Sequence, residues 1–352
     1  MQVHFGVKYS CMALTYALLA AFLFALSMPI GKLLLGKLAP LELSAFCYLG
    51  GALGLFCWRI ISPKRAPAER LAGEDFKWVA AFTLFGGVAA PLLLFEGLRL
   101  SPSSQASLLL NFELVFTSLI AVVFFRERGG WRLWAAVALV TAGAFSLGLD
   151  RGAPGAGKGL ILVGLASLAW ALDNNFTARV SAKDPLTLAA IKGLAGGILN
   201  LALALAVYGR AAPAAPAILA LALGAASYGA SLVFLILAMR ELGAARAGAF
   251  FGVYPFMGAL AGLLFLDESL SAGLIAAFAL TAAGAALLAG EWHSHRHFHP
   301  SLEHEHAHSH DAHHSHHPEE ANPLPWHNHH HVHGPLSHGH GHIHDEHHRP
   351  GH

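Results

Sequence analysis

The sequence predicts an all-α integral membrane protein with ten transmembrane helices, arranged as two inverted five-helix repeats and followed by a disordered C-terminal tail. Three observations lead to this prediction: a low charge content, ten long apolar stretches and an internal duplication. Of the 352 residues, 55% are hydrophobic and only 12% are charged, whereas a soluble domain carries about a quarter charged residues. The basic residues are scattered through short connections, so nucleic-acid binding is not indicated.

The ten predicted helices follow from length and hydropathy. A helix that crosses the hydrocarbon layer needs about 20 mostly apolar residues. The first five such stretches lie at 13–35, 40–61, 77–99, 102–125 and 131–149. The next five lie at 157–180, 185–208, 216–240, 242–266 and 271–290. We number them spans one to ten. Span one lacks a clear small-residue cleavage site, so we expect a retained helix and not a signal peptide.

The orientation is predicted from the lysine and arginine residues of the connections. Most of them fall in connections on the side of the N-terminus, including Lys64, Arg65, Arg70 and Lys183. Because cytoplasmic loops carry the excess of basic residues, we expect both termini to be cytoplasmic. The expected location is the cell membrane, in a bacterium the inner membrane.

The duplication appears when the first half of the chain is moved forward by 141 positions. Arg99 then falls on Arg240, Phe124 on Phe265 and Glu127 on Glu268, and the Ala-Gly-Ala run at 142–144 falls on the same run at 283–285. Each unit holds five spans, and an odd number means that the second copy enters the membrane from the opposite side. Inverted repeats of this kind are typical of secondary transporters.

The same residues resemble a known family. The duplication, the "FFRE" and "FLDE" endings of spans four and nine, and the stretch "GLRLSPSSQASLLLNFELVFTSL" resemble the EamA type of the drug/metabolite transporter superfamily. The resemblance implies a first repeat at 12–149 and a second at 157–290, with the tail at 291–352 outside it. It implies a transporter and not an enzyme, so no catalytic residue is expected. Glu127 and Glu268 are interpreted as helix-end capping or gate residues.

Polar residues within the spans are the candidate solute ligands. An ionisable side chain deep in a bilayer costs several kcal/mol, so it normally faces a cavity or a partner. Such side chains could bind a cationic group or exchange a proton, with a lysine balancing the charge. The alternative is a buried lysine–carboxylate pair that fixes helix packing. The candidates are Glu113, Asn111, Asp173, Asn174, Asn175, Lys192 and Lys32.

The tail contains 24 of the 25 histidines. With many prolines and few apolar residues, it is predicted to lack a folded core. Neutral imidazole binds Zn²⁺, Ni²⁺, Co²⁺ and Cu²⁺, and no other cofactor is expected. The candidate metal ligands are His304, His306, His308, His310, His313, His314, His316, His317, His327, His329, His330, His331, His333, His338, His340, His342 and His344.

Three functions remain open at this point. The chain could export transition-metal ions that the tail collects, or a small metabolite or amino acid while the tail only buffers metal. A third alternative is a membrane-bound metal sensor or buffer that moves nothing. The sequence contains no nucleotide-binding loop, which favours an ion gradient over ATP as the energy source. Expected partners are the lipid bilayer and the solute; a homodimer is also compatible with the sequence.

Overall fold

The computed structural model describes residues 11–62, 71–125, 130–148, 156–180, 183–242 and 244–289, and four segments of the tail. The chain divides into two units, 1–290 and 291–352. In the described part of the first unit, every predicted span is helical. Among these described residues, eight helices are long and apolar enough to cross a membrane, and two shorter apolar helices, Trp131–Leu147 and Ala272–Leu287, occupy spans five and ten. The all-α prediction for this unit is confirmed.

Several spans are built from more than one helical piece. Those of the first repeat are Cys11–Ala25 with Ser27–Leu34, Pro40–Ile61, Phe76–Phe82 with Ala90–Leu100, Ser103–Leu109 with Phe112–Phe125, and Trp131–Gly148. Those of the second repeat are Ala156–Thr177, Pro185–Tyr208, Ala214–Gly224 with Ser231–Leu242, Ala244–Phe251 with Tyr254–Phe265, and Ala272–Ala289. The pieces of spans three and eight are joined by π-helical segments, Thr83–Ala89 and Ala225–Ala230. Short 3₁₀ turns lie at Gly73–Asp75 and Ala178–Val180.

The ends of span seven show how the sequence sets a helix boundary. Pro185 occupies the first turn, where its missing N–H costs nothing. The carboxylate of Asp184 accepts hydrogen bonds from the backbone N–H groups of Leu186 (3.3 Å) and Thr187 (3.2 Å), and so caps the free amides. At the other end, Gly209 adopts φ 62°, a left-handed conformation that glycine tolerates and that ends the helix.

The packing of the spans obeys the duplication. Span two packs against span seven and span five against span ten, and the pair of spans three and six corresponds to the pair of spans eight and one. A methyl group on Gly143 would approach the carbonyl oxygen of Ala277 to 3.3 Å; one on Gly284 would approach that of Ala136 to 3.2 Å. Both relations use the 141-residue offset found in the sequence. A pseudo-two-fold axis therefore relates the two repeats.

The helix ends of this unit lie at two opposite faces. The Ser101 face carries the connections at 35–39, 101–102, 209–213 and 266–271. On the Lys183 face, span two ends at Ile61 and span seven begins at Pro185. The largest buried core surrounds Phe95, Leu98 and Leu108, in spans three and four near the Ser101 face.

The described part of the tail consists of four strands: His293–His299, Leu302–His308, His327–His333 and Leu336–His342. The first pairs with the fourth and the second with the third, each pair forming an antiparallel two-stranded ribbon. The alternating His-x-His pattern has the period of a strand, but an isolated two-stranded ribbon is only marginally stable in water.

Candidate functional site

Spans four and nine are interrupted at equivalent places. The helix of span four stops at Leu109 and resumes at Phe112, and that of span nine stops at Phe251 and resumes at Tyr254. Pro255 of span nine lies in the first turn of the resumed helix, where its missing N–H costs nothing. Non-helical backbone at membrane depth is tolerated where it is buried in protein or lines a cavity. Both interruptions adjoin the cavity described below.

Glu113 and Tyr254 meet at these interruptions. The Tyr254 hydroxyl donates a hydrogen bond of 3.2 Å to the Glu113 carboxylate. The two residues are related by the 141-residue offset, so they occupy the same position in the two repeats. Equivalent positions contact each other directly only where the symmetry axis passes between them. Glu113 and Tyr254 therefore lie on the pseudo-two-fold axis.

A polar network extends from Glu113 to span seven. Asn174 Nδ2 donates to the Glu113 carboxylate at 2.8 Å. Its neighbour Asp173 is buried and forms an ion pair of 2.7 Å with Lys192 Nζ. Thr177 Oγ1 donates to the other oxygen of Asp173 at 3.1 Å. The structure thus brings together four of the predicted site residues, drawn from spans four, six and seven.

The π-helical segments contribute to the same region. Tyr48 of span two donates its hydroxyl to the carbonyl oxygen of Gly86, which lies in the π-helical segment of span three. Ser227 and Tyr228, in the corresponding segment of span eight, line the cavity. A π-helical turn leaves carbonyl groups without their usual helical donors and is frequent at functional sites. Two such turns at equivalent places give each repeat one irregular segment beside the axis.

These residues surround a cavity of about 220 Å³. Glu113, Asp173, Asn174 and Lys192 supply its charged and amide groups. Six of its other lining residues are aromatic: Phe24, Tyr48, Trp170, Tyr228, Phe251 and Tyr254. Leu55 near the end of span two and Ala189 near the start of span seven also line it. The cavity therefore lies in the half of the unit nearer the Lys183 face.

The other predicted residues are placed elsewhere. Asn111 is buried in the interruption of span four, where its Nδ2 donates to the carbonyl oxygen of Leu108 at 2.8 Å. Asn175 donates to the carbonyl oxygens of Ala171 (2.8 Å) and Thr117 (3.3 Å), which ties span six to span four. Neither side chain lines the cavity. Both side chains instead donate hydrogen bonds to backbone carbonyl oxygens of helices.

Lys32 belongs to the Ser101 face. Its Nζ donates to the carbonyl oxygens of Leu98 (2.6 Å), Arg99 (3.2 Å) and Ser101 (2.8 Å) at the end of span three. The last carbonyls of a helix have no intrahelical donor and favour a positive charge. Lys32 therefore caps span three from span one, and does not balance the charge of the cavity.

Glu268 forms the matching contact to span four. Its carboxylate accepts hydrogen bonds from the backbone N–H groups of Ser103 (2.5 Å) and Ser104 (2.8 Å), the first residues of that helix. The preceding residue, Asp267, has φ 51° and turns the chain toward span four. With Lys32, this contact joins spans one, three, four and nine at the Ser101 face. Its sequence counterpart Glu127 lies outside the described residues.

The predicted metal ligands fall in the tail. His310, His313, His314, His316, His317 and His344 lie outside the described residues, and the other predicted tail ligands are described in their backbone alone. Among the residues whose side chains are described, no group of three or more histidine, cysteine, aspartate or glutamate residues could hold a metal ion. The tail prediction therefore stays a prediction.

The aromatic walls of the cavity were not found by sequence reasoning, because tyrosine and tryptophan are ordinary residues of membrane helices. One signal was present. The 141-residue offset places Tyr254 opposite Glu113, and a tyrosine on the symmetry partner of an intramembrane glutamate is a ready hydrogen-bond donor for it. Tyr48, Trp170 and Tyr228 have no comparable signal.

Comparisons with known proteins agree with this architecture. The profile of the EamA-like transporter family matches residues 12–149 and again 157–290. An uncharacterized transporter of Methanothermobacter thermautotrophicus is 29% identical over 273 residues, which cover 72% of this chain and 78% of that protein. One solved crystal structure superposes with a TM-score of 0.57 at 19% identity, covering 78% of this chain and 97% of the other. That structure supports the fold alone.

Proposed function

Because the chain belongs to the EamA-like transporter family, we propose that it is a secondary transporter that exports a small organic solute through the cavity around Glu113, driven by an ion gradient. The observation that carries this proposal is the meeting of Glu113 and Tyr254 on the pseudo-two-fold axis. Inverted repeats supply two arrangements around a midplane site, each open to one side. A titratable group on the axis is available to both arrangements.

The contacts at the two faces support one step of such a cycle. The cavity lies toward the Lys183 face, while Lys32 and Glu268 cross-link four spans at the Ser101 face. The distribution of basic residues predicts that the Lys183 face is cytoplasmic. The proposed cycle then begins with loading from the cytoplasm. It requires release of the Glu268 contact before the solute can leave at the opposite face.

Proton exchange at Glu113 is the proposed coupling step. The carboxylate accepts hydrogen bonds from two neutral donors, Asn174 and Tyr254, and has no ion-pair partner among the described residues. A proton or a cationic group would each satisfy it. Binding of one then excludes the other, which is the requirement for exchange.

The test uses the full chain in proteoliposomes that contain a pH-sensitive dye. Small organic solutes of different charge are added outside under an imposed proton gradient. Wild-type protein should show proton flux that depends on a particular solute, and Glu113→Gln should lose it. Glu96→Gln is the matched control, because Glu96 pairs with Arg99 at a helix end and does not line the cavity, and its flux should stay unchanged. No solute-dependent flux in wild-type protein, or normal flux in Glu113→Gln, would contradict the proposal.

The orientation needs a separate measurement in the host membrane. The distribution of basic residues places a reporter fused after residue 292 in the cytoplasm, and a reporter inserted at 150–156 on the opposite side. Cytoplasmic signals from both fusions would be incompatible with an odd number of spans between them. The same measurement fixes the direction in which the cavity must be loaded for export.

Transition-metal efflux is the second candidate, and the histidine tail favours it. Imidazoles on a cytoplasmic tail would raise the local supply of Ni²⁺, Co²⁺ or Zn²⁺. The described cavity offers a metal ion only carboxylate, amide and hydroxyl oxygens, which suit harder cations better. Ni²⁺ belongs in the same flux assay. Flux with Ni²⁺ and with none of the organic solutes would favour this candidate. If no solute or metal produces flux, the sensor or buffer alternative gains support.

A further inference from the structure

We infer that the cavity selects a small amphipathic amine, a solute with one positive charge and an apolar or aromatic body. This inference rests on the proposed function and names the substrate class of the same site. The first argument is the balance of charge. Asp173 is neutralised by Lys192 at 2.7 Å, whereas Glu113 is held only by neutral donors. When Glu113 is deprotonated, the described walls therefore present one negative charge in excess.

Asp173 and Lys192 are not free to bind a zwitterion or an anion. The Asp173 carboxylate is 2% exposed and also accepts from Thr177. A methyl group on Gly86 would overlap the Asp173 carboxylate, so span three packs directly against it. A solute carboxylate that took Lys192 would leave Asp173 buried and unpaired, which is strongly unfavourable. Glu113 is the cavity's available charge.

The aromatic walls provide the second argument. Phe24 lies 4.7 Å from Tyr254 and 5.5 Å from Tyr228, measured between ring centres, and Tyr48 lies 5.4 Å from Tyr228. These rings form one continuous surface that adjoins Glu113 through Tyr254. Aromatic faces attract ammonium groups and also bury apolar groups well. The face of an aromatic ring is negative, so ring faces favour a cation over an anion.

Size limits the solute further. The cavity offers about 220 Å³ to a solute. This volume lies below the usual range of drug-sized sites, about 300–1,000 Å³. It suits a solute with a single ring or a short aliphatic chain.

Four probes that share one body and differ in charge test the inference. They are 2-phenylethylamine (cation), phenylalanine (zwitterion), 3-phenylpropanoate (anion) and 2-phenylethanol (neutral), with binding to the purified full chain measured by calorimetry. The amine should bind at least about tenfold more tightly than the other three, because it alone brings a positive charge to Glu113 without adding a carboxylate to the cavity. Glu113→Gln should remove this preference, and Glu96→Gln should keep it.

A second pair of variants tests the walls. Phe251 lines the cavity and contacts Phe24 and Tyr254, so Phe251→Leu should weaken amine binding by about two- to fivefold. Phe145→Leu is the control, because Phe145 is 74% exposed on span five. Phenylalanine or the anion binding as tightly as the amine, unaltered amine binding by Glu113→Gln, or no binding of any probe would each overturn the inference. In those cases proton flux with another solute would still support the proposed transport function.

Discussion

Replacing Gly224 by alanine should separate spans two and eight, whose backbones meet at this glycine. The new methyl group would overlap the carbonyl oxygen of Cys47 and lie 2.7 Å from its Cα. These are backbone atoms inside a helix, so they cannot rotate aside as the end of a side chain would. Forcing extra carbon into a packed interior typically costs about 1–3 kcal/mol. Because the overlap involves backbone atoms, we expect the free energy of unfolding to fall by about 3 kcal/mol, the upper end of that range.

The matched control is Gly164→Ala, also within a helix but with nothing within 4 Å of the added methyl group. Alanine is the better helix former by about 1 kcal/mol, so this variant should be neutral or more stable. The assay is the unfolding midpoint of both purified variants, read from the loss of helical circular dichroism in detergent. Equal midpoints for Gly224→Ala and Gly164→Ala would refute the close approach of spans two and eight.

Three further variants test the site, the Ser101 face and the tail. Lys192→Met should lower the free energy of unfolding by about 3 kcal/mol by leaving Asp173 unpaired, the low end for a buried pair because Lys192 is 26% exposed. Adding Asp173→Asn should restore most of the loss, and equal unfolding midpoints for the single and double variants would exclude this coupling. Glu268→Gln weakens the capping of Ser103 and Ser104. It should increase the labelling, from the Ser101 face, of a cysteine placed at Ser103, whereas Glu96→Gln should not. Equal labelling of the two variants would argue against a role of the Glu268 contact in closing this face. A chain ending after Gly290 should keep its solute flux but lose most of its bound Ni²⁺. Metal binding by the intact chain should weaken at pH values below about 6, because the imidazoles become protonated. Equal Ni²⁺ content in both chains would show that the tail is not the metal store.

The sequence predicts the fold well because a membrane helix can be identified from the local composition of its own residues. A run of about 20 apolar residues identifies a membrane helix without any knowledge of tertiary contacts. The Arg99/Arg240 and Glu127/Glu268 pairs indicate the repeat. The sequence says less about the tail. Its alternating histidines have the period of a strand, but composition alone does not specify which segments pair.

Only part of the site can be predicted from the sequence. Whether a polar side chain points into the cavity depends on how its helix is rotated and where that helix is interrupted. Glu113, Asp173, Asn174 and Lys192 are conspicuous in an apolar segment, and the structure brings all four to the cavity. Lys32 is equally conspicuous, yet it caps the end of span three. The difference lies in contacts between residues more than 60 positions apart, which no local pattern records.

The hydrogen bond between Tyr254 and Glu113 has a consequence for the origin of the chain. A symmetric dimer of two identical five-helix proteins would place the same residue on both sides of the axis. Two carboxylates at about this separation would repel each other unless they shared a proton, and two tyrosines would carry no charge at neutral pH. Joining the two copies in one polypeptide frees each position to change independently. A fused chain can therefore place a single carboxylic acid beside a neutral donor on the symmetry axis. A symmetric dimer of two identical half-length chains cannot.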